Sequence, residues 1–90
     1  MKITLSTKFK KDLKRYRHKE EEMKALNVIL KMLKNNGRVS SEYKPHSLHG
    51  IYQGCMECHV KDNFLLIWFD KQTNTIKLMR LGTHHELFGI

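Results

Sequence analysis

The sequence has little of what usually punctuates or staples a small chain: one proline, Pro45, five glycines and two cysteines in 90 residues. Two cysteines cannot build the dense disulfide framework of a small secreted domain. No stretch reads as a linker, and there is no internal repeat or low-complexity segment, so residues 1–90 are expected to form a single domain. No apolar run approaches the roughly 18 residues of a membrane span. The opening Met1-Lys2-Ile3-Thr4-Leu5-Ser6 turns charged at once and has no long apolar segment of an export signal, which points to a cytoplasmic protein with no membrane partner. Also missing are a Gly-rich phosphate cradle, a Ser-His-Asp constellation and any nucleoside-triphosphate motif.

Acidic residues are scarce as well. Nine Asp and Glu stand against seventeen Lys and Arg, for a net charge of +8. All of the excess lies in residues 1–38, where twelve cations meet four acids; residues 39–90 hold five of each and five of the six histidines. A positive field of this kind attracts polyanions, nucleic acid first among them. A basic helix face can also be merely solvated.

What is present has a clear order. Lys2-Ile3-Thr4-Leu5 alternates polar and apolar, as a short strand does. Ser6 or Thr7 then offers a cap for a helix with Phe9, Leu13 and Tyr16 on one face and Lys8, Lys10, Lys11, Lys14, Arg15 and Arg17 on the other. After a charged break at His18-Lys19-Glu20, three glutamates favour the start of a second helix. Its buried stripe is Met23, Leu26, Ile29, Leu30 and Leu33, and Asn35-Asn36-Gly37 stops it. Residues 38–50 read as loop. Residues 51–60, 64–69 and 75–81 read as strands joined by hairpin turns at 61–63 and 70–74. The run Phe64-Leu65-Leu66-Ile67-Trp68-Phe69 is apolar on both parities and belongs at the sheet centre. In the last strand Ile76, Leu78 and Arg80 share one face by simple alternation. The expected class is α+β, with two helices packed on one face of a small twisted sheet.

Cys55-Met56-Glu57-Cys58-His59 matches the C-x-x-C-H spacing of c-type haem attachment, and its cysteine pair is the kind that can bind zinc or cycle as a dithiol. Strand parity argues against all three uses, because an odd spacing sends Cys55 and Cys58 to opposite faces. Haem attachment also belongs to exported proteins, and a structural zinc would need a second ligand pair. No metal or cofactor is therefore expected. The same parity puts His59 with Gln53, Cys55 and Glu57 on a polar face, away from Tyr52, Met56 and Val60.

The histidines suggest a different chemistry. RNA can be cut without a metal when its own 2′-hydroxyl is the nucleophile. The reaction then needs a base at that hydroxyl, an acid at the departing 5′-oxygen and a cation for the growing phosphate charge. Histidine titrates near working pH and serves either proton transfer. Arginine donates a planar fork to phosphate oxygens, and an aromatic ring can stack an unpaired base. His59, His84, Arg80 and Phe88 form such a set, with His46 as a further histidine.

Tyr43-Lys44-Pro45-His46-Ser47-Leu48-His49-Gly50, Gly54 with Cys58-His59-Val60, Arg80-Leu81-Gly82-Thr83-His84 and Leu87-Phe88-Gly89 together resemble the YafQ branch of the RelE superfamily, toxins of bacterial type II toxin–antitoxin pairs. The resemblance spans the chain in element order, with its specific motifs between Tyr43 and Gly89. It implies a β-α-α-β-β-β microbial-RNase-like fold on a mostly antiparallel sheet. It also implies ribosome-dependent cleavage of mRNA at the A site and an antitoxin partner. By the same resemblance His46, His59, Arg80 and His84 are expected to be catalytic, and Lys44, Asp62, Asn63 and Phe88 to contact substrate. One position departs: the family's Asp-Trp pair is Asn63-Phe64 here, so a carboxylate role is lost there and Asp62 is the nearest substitute. The general base is left among His46, His59 and Asp62, with His59 favoured by parity. Competing readings are a non-catalytic basic nucleic-acid-binding module and a haem or metal protein built on Cys55, Cys58 and His59.

Overall fold

Ser6 ends the first strand and begins the first helix: its hydroxyl accepts the Phe9 N–H at 2.9 Å. In the computed structural model, which describes residues 1–89 and leaves Ile90 outside, β1 spans Lys2–Leu5 and α1 Thr7–Tyr16. Helix α2 runs over Glu20–Asn36 with three glutamates in its first turn, and Gly37 closes it in the left-handed region at φ 69°. A two-residue β2 (His46–Ser47) precedes β3 (Met56–Lys61), β4 (Phe64–Asp70) and β5 (Thr75–Gly82). A last helix, α3, covers His84–Phe88.

The sheet order is β1-β5-β4-β3-β2, with β1 parallel to β5 and every other pair antiparallel. The expected α+β class and β-α-α-β-β-β order are thus present, with β2 and α3 as additions. Strand β4 is central, as its double-sided apolarity requires. Phe64, Leu66 and Trp68 join Phe9, Tyr16, Leu26, Ile29 and Leu33 in the main core beneath α1 and α2. Leu65 and Ile67 face the other way, into a smaller cluster with Cys55 and Leu87 of α3.

Two expectations need correction. The strand expected over 51–60 begins only at Met56, because Gly50–Tyr52 form a 3-10 turn and Gly54 takes φ +90°, which an extended ladder does not accommodate. Tyr52 is therefore freed from strand parity and packs on the smaller cluster instead of the helix side. In β5, Ile67 pairs with Arg80 while Trp68 pairs with Leu78, leaving Met79 as a bulge. Beyond the bulge the parity inverts: Leu81 rejoins Ile76 and Leu78 in the main core, and Arg80 leaves the face it was expected to share with them.

The two cysteines end on opposite faces as parity requires. Cys58 is fully buried in the main core and Cys55 lies in the smaller cluster, both as free thiols. Burial raises both thiol pKa values, Cys58 to about 12 with help from the charge of Glu57. Among the described residues no group of three metal-ligating side chains comes together.

Candidate active site

The sheet face turned away from α1 and α2 gathers the chemistry. His59 projects there from β3 because even positions of that strand fill the main core. Thr83 caps α3 through a reciprocal capping box with Glu86, and the helix begins at His84, so β5 delivers His84 and Phe88 one turn apart beside β3. The rings form an unbroken line: His46 to His59 at 6.4 Å between centroids, His59 to His84 at 6.1 Å, His84 to Phe88 at 6.2 Å, and Phe88 edge-on to Tyr52 at 5.6 Å.

Their protonation is constrained by partners. Asn63 Oδ1 accepts the His84 backbone N–H at 3.2 Å and lies 2.5 Å from His84 Nδ1. The backbone N–H can only donate, which identifies the atom as the amide oxygen; an oxygen this close to Nδ1 is matched by a hydrogen on that nitrogen, with Nε2 presented outward. His46 is held differently. Its Nδ1 faces the Lys44 carbonyl at 2.9 Å, and its Nε2 faces Glu57 Oε1 at 3.2 Å across the β2–β3 pair. Both ring nitrogens of His46 are therefore engaged within the protein. Glu57 is only 3% exposed, and its Oε2 is buried with no hydrogen-bond partner among the described residues. The His59 ring makes no side-chain hydrogen bond among the described residues and is partly exposed.

Arg80 is anchored rather than free. Its Nε and Nη2 donate to the two oxygens of Asp12 at 2.7 and 3.2 Å, and its Nη1 to the Tyr52 hydroxyl at 3.0 Å. The hydrogen bonds to Asp12 raise its pKa further, so it is permanently charged. Three of its five N–H groups are used, which leaves two for a ligand. The Tyr52 hydroxyl in turn donates to the Leu87 carbonyl at 3.4 Å, tying the guanidinium to α3.

Asp12, Tyr52 and Glu57 were not singled out from the sequence. Asp12 did carry a signal. It sits three residues after Phe9 and four before Tyr16, on the apolar stripe of an otherwise basic helix, and Arg80 is the sole arginine after Arg38. Of the expected substrate contacts, Asn63 and Phe88 join the line. Lys44 contributes its carbonyl while its side chain is exposed, and Asp62, in a turn at φ 44°, lines a cleft with Tyr16, Lys19 and Glu22 on the helix side.

The family model described as bacterial toxin of type II toxin-antitoxin system, YafQ, matches residues 1–89. The mRNA interferase toxin YafQ of Escherichia coli K12 is 33% identical over 89 residues, 97% of this chain and 95% of that one. The crystal structure of YafQ from E. coli BL21(DE3) superposes with a TM-score of 0.87 at 30% identity, covering 97% of both chains. YafQ in the E. coli DinJ–YafQ complex superposes with a TM-score of 0.84 at 31% identity, again covering 97% of both.

Proposed function

Because this chain belongs to the YafQ family of toxins from bacterial type II toxin–antitoxin systems, we propose that it is an endoribonuclease that cuts mRNA on the ribosome and is silenced by an antitoxin. The observation that carries this reading is the line His46–His59–His84–Phe88, with His84 locked so that Nε2 points out.

In this reading His59 takes the proton from the 2′-hydroxyl, since it is the histidine with an uncommitted ring. The 2′-oxygen bonds to the adjacent phosphorus, and the bond from phosphorus to the 5′-oxygen breaks. His84, as imidazolium, keeps its Nδ1 hydrogen on Asn63 and delivers the Nε2 hydrogen to the 5′-oxygen. The products are a 2′,3′-cyclic phosphate and a 5′-hydroxyl. Arg80 turns its two remaining N–H groups to the phosphate, and Phe88 stacks a base. His46, with both ring nitrogens engaged by Lys44 and Glu57, borders His59 rather than serving as the proton acceptor.

Binding and chemistry divide between the halves of the chain. The basic faces of α1 and α2 supply salt-dependent affinity for ribosomal RNA, and the opposite sheet face reacts. An antitoxin then needs acidic character for the helices and apolar anchors for a stable interface.

The test is expression with and without the adjacent gene. Induction alone should arrest translation and leave mRNA cut within codons, and co-expression should restore growth and give a complex that survives high salt. Growth arrest with intact mRNA would overturn the nuclease reading, and a neighbour that neither copurifies nor rescues would overturn the partner.

A further inference from the structure

Helix α3 carries both His84 and Phe88 yet has only five residues, far below the roughly 12–15 at which an isolated helix becomes even marginal. Something outside it must fix its position. Leu87 is buried against Cys55, Leu65 and Ile67, but one apolar contact sets a depth and not an orientation. Asn63 holds the His84 end and the Tyr52 hydroxyl meets the Leu87 carbonyl, while a single carboxylate ties the helix to α1. Glu86 Oε1 accepts the Thr83 backbone N–H at 2.9 Å and the Tyr16 hydroxyl of α1, while Oε2 takes Arg15 Nη1 at 3.1 Å. The Thr83 hydroxyl oxygen in return accepts the Glu86 N–H at 3.2 Å.

A second observation on the other side of the carboxylate agrees. Gly82 has φ +155°, and a Cβ built there would lie 2.7 Å from Glu86 Oε1. The chain carries a glycine where the carboxylate comes down on the backbone. Burial alone would raise the Glu86 pKa, but the Tyr16 hydroxyl, the Thr83 N–H and Arg15 outweigh it and hold the group below the ordinary glutamate value.

We propose that Glu86 is a positioning residue for the reaction: it fastens α3 to α1 so that His84 Nε2 and Phe88 are held at fixed places relative to His59. The inference rests on reading His84 as the proton donor. Arg15 is half exposed and adds little of its own. The Tyr16 hydroxyl, part-buried and aimed at the same carboxylate, is the anchor on α1. Glu86 thereby joins the basic helix to the reacting face across the end of the sheet.

The experiment compares Glu86→Ala, Glu86→Gln and Tyr16→Phe with wild type for ribosome-bound mRNA cleavage, and follows amide exchange at Thr83 and the His84 ring resonances by NMR. Glu86→Ala should lower kcat on the order of 10²-fold, the effect of a misplaced catalytic group, with KM unchanged. The Thr83 amide should lose protection and the His84 ring signals should broaden. Glu86→Gln keeps an acceptor oxygen and should retain most of the rate. Tyr16→Phe keeps the ring against Phe64 and should reproduce part of the loss in a fully folded protein. A kcat, Thr83 protection and His84 signals all unchanged in Glu86→Ala and Tyr16→Phe would overturn the proposal, as would a loss explained by a smaller folded fraction alone. If wild type itself cleaves no RNA, the nuclease reading fails, while the NMR arm still decides whether Glu86 orders His84.

Discussion

Asn63 Oδ1 stands 2.5 Å from the His84 ring and 3.2 Å from its backbone nitrogen, so one side chain grips both the main chain and the imidazole of a single residue. The β3–β4 turn is thereby coupled to the first residue of α3, and the tautomer of His84 is set by an uncharged oxygen. A carboxylate there would set the same tautomer but would also favour the charged ring.

His84→Ala is expected to lower cleavage by on the order of 10²–10⁴, the usual worth of one positioned proton donor. Ribosome affinity should stay near wild type, since the proposed function assigns it to the basic helices. His85→Ala, one residue on and exposed, should remain active. Paired rate and affinity measurements on both variants check the assignment. A dead His85→Ala would reverse it.

Asn63→Ala should cost about 10–100-fold in rate with little loss of stability, since it frees a half-buried ring without emptying the core. Asn63→Asp should keep the orientation and place a negative charge beside the imidazolium. The sign is fixed: an adjacent anion favours the protonated ring, so the limb of the pH–rate profile that reports the acid should move to higher pH. An unmoved profile would show that the Asn63 contact does not reach the reacting form.

Asp12 answers both the Arg80 fork and the Leu81 backbone N–H, the latter at 2.9 Å, and is 3% exposed. Asp12→Ala should destabilise the fold by about 3–5 kcal/mol, because a largely buried guanidinium and a buried amide are both left without a partner. Urea unfolding measures this directly. A change below about 1 kcal/mol would mean that Arg80 finds another anion or water.

Both thiols are buried with raised pKa values, so neither should react with iodoacetamide at pH 8 until the protein unfolds. The Cys55→Ser, Cys58→Ser double variant should cleave within a few-fold of wild type, at some cost in stability from Cys58. Loss of activity with the fold intact would return the metal or redox reading to contention.

The folded-state pKa of Glu86 is depressed, so its contribution to stability is complete above its unfolded value of roughly 4.3. The contribution fades as pH falls through the lower folded value. Glu86→Gln should therefore flatten the acid limb of the stability curve. Urea midpoints between pH 3 and 7 compare the two proteins, and identical slopes would show that the carboxylate charge is not used.

Much of this protein is set locally and is legible without coordinates. The Ser6 cap, the Phe9–Tyr16 and Leu26–Ile29–Leu33 stripes, the Gly37 stop and the two-sided apolar strand at 64–69 follow from side-chain period and backbone preference. The outward aim of His59 follows from the parity of β3 alone. Tertiary structure decided the rest, through pairings between residues far apart in the chain. A bulge at Met79 arises from how β5 registers against β4, and it alone turns Arg80 out of the main-core face. Asp12 meets Arg80 across 68 positions, and Tyr16 meets Glu86 across 70. His46 loses both its free nitrogens to a neighbour on its own loop and to a carboxylate on the next strand. Periodicity names the face a side chain occupies. Which partner is waiting there depends on register and close approach, and those are fixed only when the whole chain packs.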